Sequence, residues 1–309
     1  MPAQTQLLER DIDPATSAAP AAAKILSLSF ELYPPRTAAG VARLPVEVRQ
    51  LARLQPDYFS VTYGAGGSAQ AGTYETLMQV AEHTGVPVAP HLTCIGSTRA
   101  GIRELLTRYR SCGVRRLVAL RGDLPATAAG TAAPGEFHHA AELVRFIRET
   151  HGDAFTIEVA AYPEIHPQAT DPEADLAHFC DKVRAGADGA ITQYFFTIGS
   201  YFRFVDRVRA AGLDVPIMPG IMPITNGAQL LRFSAACGAD VPRWIRLHLE
   251  SYADDEASLL AFGRDIVARL CDGLLAGGAP GLHVYALNKA APALALWRNL
   301  RLVVPQDDD

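Results

Sequence analysis

Residues Ser29–Arg36 read SFELYPPR and overlap the end of an apolar run, Lys24–Phe30, KILSLSF. The run has the composition of a buried strand. It closes on a carboxylate, Glu31, and two prolines, Pro34 and Pro35, follow almost at once. A carboxylate is costly to bury unless something compensates it. Proline restricts its own φ and the residue before it, so the chain leaving Glu31 is stiff.

Outward from this stretch the same pattern recurs. Short β-rich runs stand at Ile25–Phe30, Tyr58–Thr62, Val86–Leu92, Arg116–Leu120, Thr156–Ala160, Ala190–Gln193, Val215–Pro219 and Leu282–Ala286. Longer stretches of helical spacing separate them. In EADLAHFCDKVRAGA, for example, Leu176, Phe179, Cys180 and Val183 share one face. Gly85, Gly113, Gly186 and Gly212 stand where helix C-caps are expected. Alternating strands and helices at this density predict an α/β fold, a single-domain parallel (β/α)8 TIM barrel, with a doubly wound open sheet as the rival. The longest interval, between strands seven and eight, is expected to hold extra helices over Gly227–Cys237 and Asp255–Ala276, with PRWIRLHLE between them. The expected organisation is a mobile N-terminal arm over 1–24, a catalytic barrel over 25–303 and an acidic tail over 304–309.

Composition narrows the function. The 309 residues are 49% hydrophobic and 20% charged, with a net charge of −5, as in ordinary soluble globular proteins. The acidic balance argues against nucleic acid. No run approaches the roughly 18 to 20 apolar residues of a membrane helix. Glu9, Asp11 and Asp13 interrupt any hydrophobic signal segment. The five cysteines, at 94, 112, 180, 237 and 271, form no CxxC pair, which suits reduced thiols in a cytoplasmic protein.

In a parallel barrel the C-terminal strand ends converge on one mouth, where chemistry collects. Those ends carry Glu31, Thr62, His91, Arg121 with Asp123, Tyr162 with Glu164 and His166, Gln193, and Asn288 with Lys289. So many polar strand ends together point to an active-site rim. Gly64, Gly66 and Ala69 imitate a dinucleotide fingerprint, but Glu82, the candidate ribose acid, falls inside the following helix. These glycines suit a sharp turn or close backbone approach. No HExxH or comparable spacing offers a metal site, and no GxSxG elbow offers a nucleophile. His91 suits a ligand, a base, a cofactor donor or a structural histidine, and Cys94 suits core packing.

With the strand ends assembled, the chain resembles methylenetetrahydrofolate reductase of the short bacterial type. The resemblance rests on SFELYPPR, VTYGAGG, PHLTC, VALRGDLP, AAYPEIHP, AITQYFF, PGIMPI and YALNKA, which occur in the family's order from about residue 27 to residue 290. It implies a barrel that binds FAD and reduces methylenetetrahydrofolate with NADH or NADPH, supplying methyl groups for methionine synthesis. Glu31 then matches the general acid, Asp123 the acid near flavin and pterin, and Gln193 the glutamine meeting folate or nicotinamide. Thr62, His91, Leu120, Arg121, Gly122, Asp123, His139, Ala140, Tyr162, His166, Asp175, His178, Asp181 and Lys182 match flavin-contacting positions. Arg121 and Lys182 suit the diphosphate, Asp175 the ribose hydroxyls and Tyr162 a flat contact. Leu249 stands where some members place Phe against substrate, His139 where many have Tyr, and Lys289 replaces an Arg that holds the folate tail. Lys keeps the charge and loses the bidentate fork. A homo-oligomer is also implied.

As a general acid Glu31 needs a proton near neutral pH, so a raised pKa is expected from its apolar strand, with Asp123 raising it further. The plainer alternative is a rim carboxylate paired with Arg36. Rival functions are a flavin-independent folate reductase, which would be colourless when purified, and a non-catalytic folate-binding barrel.

Overall fold

The computed structural model describes residues 27–63, 69–122 and 135–300, and no side chain of residues 69–71. Strands and helices alternate: β1 (Ser27–Leu32), α1 (Ala38–Ala52), β2 (Tyr58–Val61), α2 (Ala69–Thr84), β3 (Val88–Thr93), α3 (Arg99–Ser111), β4 (Arg116–Leu120), α4 (Ala140–His151), β5 (Thr156–Ala161), α5 (Pro172–Arg184), β6 (Gly189–Thr192) and α6 (Ile198–Ala210). Then come β7 (Ile217–Met218), β8 (Gly220–Ile221), α7 (Gly227–Cys237), α8 (Arg243–Ser251), α9 (Glu256–Ala276), β9 (Gly281–Tyr285) and α10 (Ala290–Asn299). Pairing is parallel throughout, in the order β7-β6-β5-β4-β3-β2-β1-β9-β8.

β7 and β8 are two halves of one barrel strand, parted by Pro219. The first half pairs with β6 and the second with β9, so the ring of eight closes as expected for a (β/α)8 barrel. Proline has no N–H for the ladder, but its carbonyl accepts from the His283 N–H at 3.0 Å. Gly220 then turns its N–H onto the Thr192 hydroxyl at 2.8 Å. A Cβ there would lie 2.1 Å from the Thr192 carbonyl oxygen, so only glycine allows this approach.

Three expectations change. β1 runs through Glu31 to Leu32, and Glu31 pairs in register with both Ser60 and Tyr285. The acid thus lies within the barrel wall instead of just beyond it. PRWIRLHLE is itself a helix, α8, so the long interval holds three helices. The third strand begins at Val88, just past Pro87. The proposed arm and tail lie outside the described residues, as do Gly64 and Gly66.

Local signals explain the helix ends. Thr37 caps α1 by accepting from the Gly40 N–H at 3.1 Å, and Asp171 caps α5 ahead of Pro172. The four expected C-cap glycines all have positive φ. Strand alternation then divides the core in two. Leu28, Phe30 and Leu32 face the helices in the large outer cluster. Tyr58, Ala89, Val118, Ile191 and Met218 form a smaller cluster along the barrel axis. Among the described residues, no helix is long and apolar enough to cross a membrane.

Candidate active site

The same alternation that buries Phe30 outward turns Ser29 and Glu31 inward. Glu31 sits at the floor of a cleft of about 450 Å³, which is also lined by Thr62, His91, Tyr162, Gln193 and Tyr285. A larger groove of about 610 Å³, beside Arg49, Arg53 and His83, lies where α1 and α2 end. Helices of a parallel barrel end at the face opposite the strand ends, so the groove is remote from them.

Two imidazoles converge on Glu31. His91 Nε2 is 3.3 Å from its Oε2 and His283 Nε2 is 3.6 Å away. Neither nitrogen meets hydrogen-bond geometry, so these are close ion-pair contacts. His283 is completely buried, and its Nδ1 is 2.7 Å from the Ser29 hydroxyl. Burial pushes the Glu31 carboxyl up, but attraction from His91 and His283 outweighs it and brings the value down to about 2. The expected raised pKa is therefore corrected. The two imidazoles thus act on the carboxyl against the effect of burial. Among the described residues the ion-pair partners of Glu31 are these two histidines, not Arg36.

The loop behind Glu31 is tied to the loop after β9. The Tyr33 N–H donates to Asn288 Oδ1 at 3.0 Å, and Asn288 Nδ2 donates to the Tyr33 carbonyl at 2.8 Å. Leu287 and Asn288 both adopt positive φ, 50° and 56°. That is a sparsely populated region for leucine, held here by the clamp and by β9.

Some of the remaining sequence-selected residues line the cleft and others do not. Leu120 lines the cleft with Thr62, His91, Tyr162 and Gln193. Tyr162 and His166 meet edge-to-face, 4.5 Å between ring centroids. Asp175 accepts from the His166 backbone N–H at 2.9 Å. Arg121 binds Gln168 Oε1 at 2.5 Å and the carbonyl of Gly122, whose φ is 86°. Lys182 donates to the Ala160 carbonyl at 2.5 Å. Burial lowers its pKa to about 8, against the upward pull of Asp175. Farther out, His139, at the N-cap of α4 before Ala140, stacks on His178 with centroids 5.6 Å apart. Asp181 is exposed beside Arg184, and exposed Lys289 precedes α10. Leu249 is 2% exposed in the core against α7 and is not among the side chains lining the cleft. Glu164 anchors a loop by accepting from the Asp240 N–H at 2.7 Å. Asp123 lies outside the described residues.

Sequence reasoning missed Ser29, His283, Tyr285 and Phe233 of α7. The first three are marked only by strand alternation, which becomes a signal once the phase of each strand is known. Phe233 lines the cleft while 41% exposed, and nothing in its helix pattern marks it. The Cys94 thiol is pushed up to about 12, chiefly by burial, which suits packing over reactivity. Among the described residues, no group of three or more His, Cys, Asp or Glu could hold a metal ion.

A parallel barrel whose mouth gathers a half-buried acid, two imidazoles, aromatic faces and cationic side chains defines an α/β-barrel enzyme built around a small-molecule site. The family model for methylenetetrahydrofolate reductase matches residues 17–301. The 5,10-methylenetetrahydrofolate reductase of Salmonella typhimurium is 39% identical over 89% of this chain and 90% of its own. The Escherichia coli reductase is 38% identical over the same shares. Methylenetetrahydrofolate reductase (NADH) 1 of Arabidopsis thaliana is 36% identical over 90% of this chain and 48% of its own. The chain belongs to the methylenetetrahydrofolate reductase family and is an oxidoreductase. A Clostridium thermocellum protein, described as binding two copies of 5-methyl-5,6,7,8-tetrahydrofolic acid, shares the fold. Its TM-score is 0.62 at 16% identity, over 89% of this chain and 96% of that one.

Proposed function

We propose that this chain reduces 5,10-methylenetetrahydrofolate to 5-methyltetrahydrofolate, with FAD in the barrel mouth and NADH or NADPH as the reductant, in a ping-pong cycle. The observation that carries the reading is Glu31, a half-buried carboxyl facing the cleft between two imidazoles in a chain of this family. The reaction delivers one hydride to the methylene carbon and one proton to the nitrogen that leaves it as the C–N bond opens. A proton must therefore be held beside the folate, and the Glu31–His91–His283 group can hold it. Imidazole is the side chain whose ordinary titration lies nearest neutral pH, which suits holding a proton beside a carboxyl there. The two imidazoles also keep a newly ionised Glu31 from standing without a partner.

FAD, when bound, accepts hydride from the nicotinamide and passes it to folate. The residues present fit such a group. Lys182 keeps an ammonium in a desolvated position, and neither Lys182 nor Arg121 has a described carboxylate partner within ion-pair distance. Both are suited to an incoming diphosphate. Asp175 is suited to ribose hydroxyls, and the apolar wall of Leu120 and Ala160 to a flat ring system. Thr62, Gly122, His139, Ala140, His166, His178 and Asp181 complete the proposed flavin-binding set. Gln193 and Lys289 are proposed to meet the folate.

Anaerobic stopped-flow absorbance tests the assignment. Glu31→Gln is expected to slow reoxidation of the reduced enzyme by methylenetetrahydrofolate by about 100-fold or more, the range of general acid catalysis. Flavin bleaching by NADH is expected to stay within a few-fold of wild type. Full retention of the folate half-reaction would remove Glu31 from the role of acid.

A further inference from the structure

One wall of the cleft comes from a helix. Strands and the loops that follow them supply most of the lining, but Phe233, Ala236 and Cys237 belong to α7, where the spacing i, i+3 and i+4 puts them on one face. The core-facing stripe of the same helix is Gly227, Leu230 and Ser234. Its first half is held by packing: Leu230 is buried, and a Cβ on Gly227 would meet the Leu249 side chain at 3.1 Å. Its second half turns a serine inward. A buried hydroxyl needs a hydrogen-bond partner, and Tyr194, the residue after Gln193, provides one. Tyr194 Oη is 3.1 Å from Ser234 Oγ, and the Cys237 thiol donates to the same Oη at 3.4 Å. One phenol thus holds two side chains of one helical turn, the first on the core stripe and the second on the cleft face.

Tyr194 is itself fixed. Its buried ring meets Phe196 and Tyr285 edge-to-face, with centroids 6.0 and 6.1 Å away. Tyr285 in turn donates its hydroxyl to the Thr192 carbonyl at 2.7 Å, and the Tyr194 N–H donates to Gln193 Oε1 at 3.0 Å. Two contacts just past α7 hold the chain there. The Asp240 N–H donates to Glu164 at 2.7 Å, and Gly238, at φ 77°, passes so near Pro167 that a Cβ would lie 2.7 Å from its ring. Neither contact reaches the side chains that line the cleft. We infer that Tyr194 is a positioning residue: its hydroxyl, bonded to Ser234 and Cys237, fixes the rotation of the last turn of α7 and with it the shape of the cleft that receives folate. The inference takes its ligand from the proposed reduction. Without the bond the last turn gains freedom, and ordering it when folate enters costs affinity. Tyr194 also borders the cleft, but Ser234 does not. Substitution of Ser234 therefore reaches folate only through α7.

The test compares wild type with Tyr194→Phe, Ser234→Ala and the double variant. The flavin-loaded enzyme is reduced anaerobically, so that 5-methyltetrahydrofolate binds without reacting, and the binding is followed by titration calorimetry. Each single variant is expected to bind about fivefold more weakly, the worth of one ordinary hydrogen bond. The double variant should bind little more weakly than either single one, because both remove the same bond. In reoxidation by methylenetetrahydrofolate, the half-saturating concentration should rise by the same factor while the limiting rate stays close to wild type. Alkylation of Cys237 by iodoacetamide, read on its peptide by mass spectrometry, should quicken in Tyr194→Phe as the thiol loses its partner. Wild-type affinity in Ser234→Ala and Tyr194→Phe overturns the inference, even if both melt at lower temperature, since a purely structural bond would do that. Additive losses in the double variant overturn it as well. If Tyr194→Phe does not fold, Ser234→Ala decides. A wild type that binds no folate overturns the proposed reduction instead, and the alkylation rate then decides whether Tyr194 holds α7.

Discussion

Glu31 acts through its neighbours. Two residues earlier on the same strand, Ser29 holds the buried ring of His283 at 2.7 Å, and that ring faces the carboxyl. A serine in an apolar run therefore sets the orientation of an imidazole more than 250 positions away in the chain. Ser29→Ala leaves His283 Nδ1 without its partner in a dry interior, at a cost of about 1–3 kcal/mol. Urea denaturation should show a lower midpoint with an unchanged m value. An unchanged midpoint would mean that the bond contributes nothing net. Neither Ser29 nor His283 stands out in the sequence, because SLSF and GLHVY read simply as strand. Their inward direction depends on the phase of the alternation, which is secured only once Glu31 is known to lie inside β1.

At the scale of elements, the barrel joins its first and last strands twice. β1 and β9 pair along their length, and beyond them Asn288 clamps the backbone of Tyr33. The clamp and the two prolines together restrain the loop that leaves Glu31. Asn288→Gly keeps access to positive φ but removes both side-chain bonds. It is therefore expected to leave the melting temperature nearly unchanged while exposing the 33–36 loop to faster limited proteolysis. Equal proteolysis rates would show that the prolines suffice. The asparagine was legible as a polar strand end. Its partner was not, because a backbone group 255 residues away carries no mark in the sequence. Helix α8 was missed for a related reason. Its nine residues end in no glycine, and exposed Trp244 and Leu247 blur the apolar face that periodicity reads.

Across the whole molecule, the site leaves its trace on the pH dependence of stability. Glu31 is depressed from 4.5 to about 2 in the folded protein. Its pairing with the two histidines therefore contributes stability that is fully present above the unfolded value. That contribution is lost as pH falls through the folded one. Between pH 4.5 and 2 the wild-type protein should lose stability more steeply than Glu31→Gln, as measured by denaturant midpoints at successive pH values. Parallel curves would indicate that the imidazoles do not stabilise the carboxylate.

By itself the sequence determined the barrel, the family and most of the rim, since strand–helix alternation and strand-end chemistry are local patterns that survive without coordinates. Only the tertiary structure decided that Glu31 lies within the wall, that His91 and His283 flank it, and that Leu249 packs in the core. The physical reason is closure. Bringing β9 against β1 and splitting the seventh strand at Pro219 to complete the ring sets which inward side chains meet, and the charge state of Glu31 follows from those meetings.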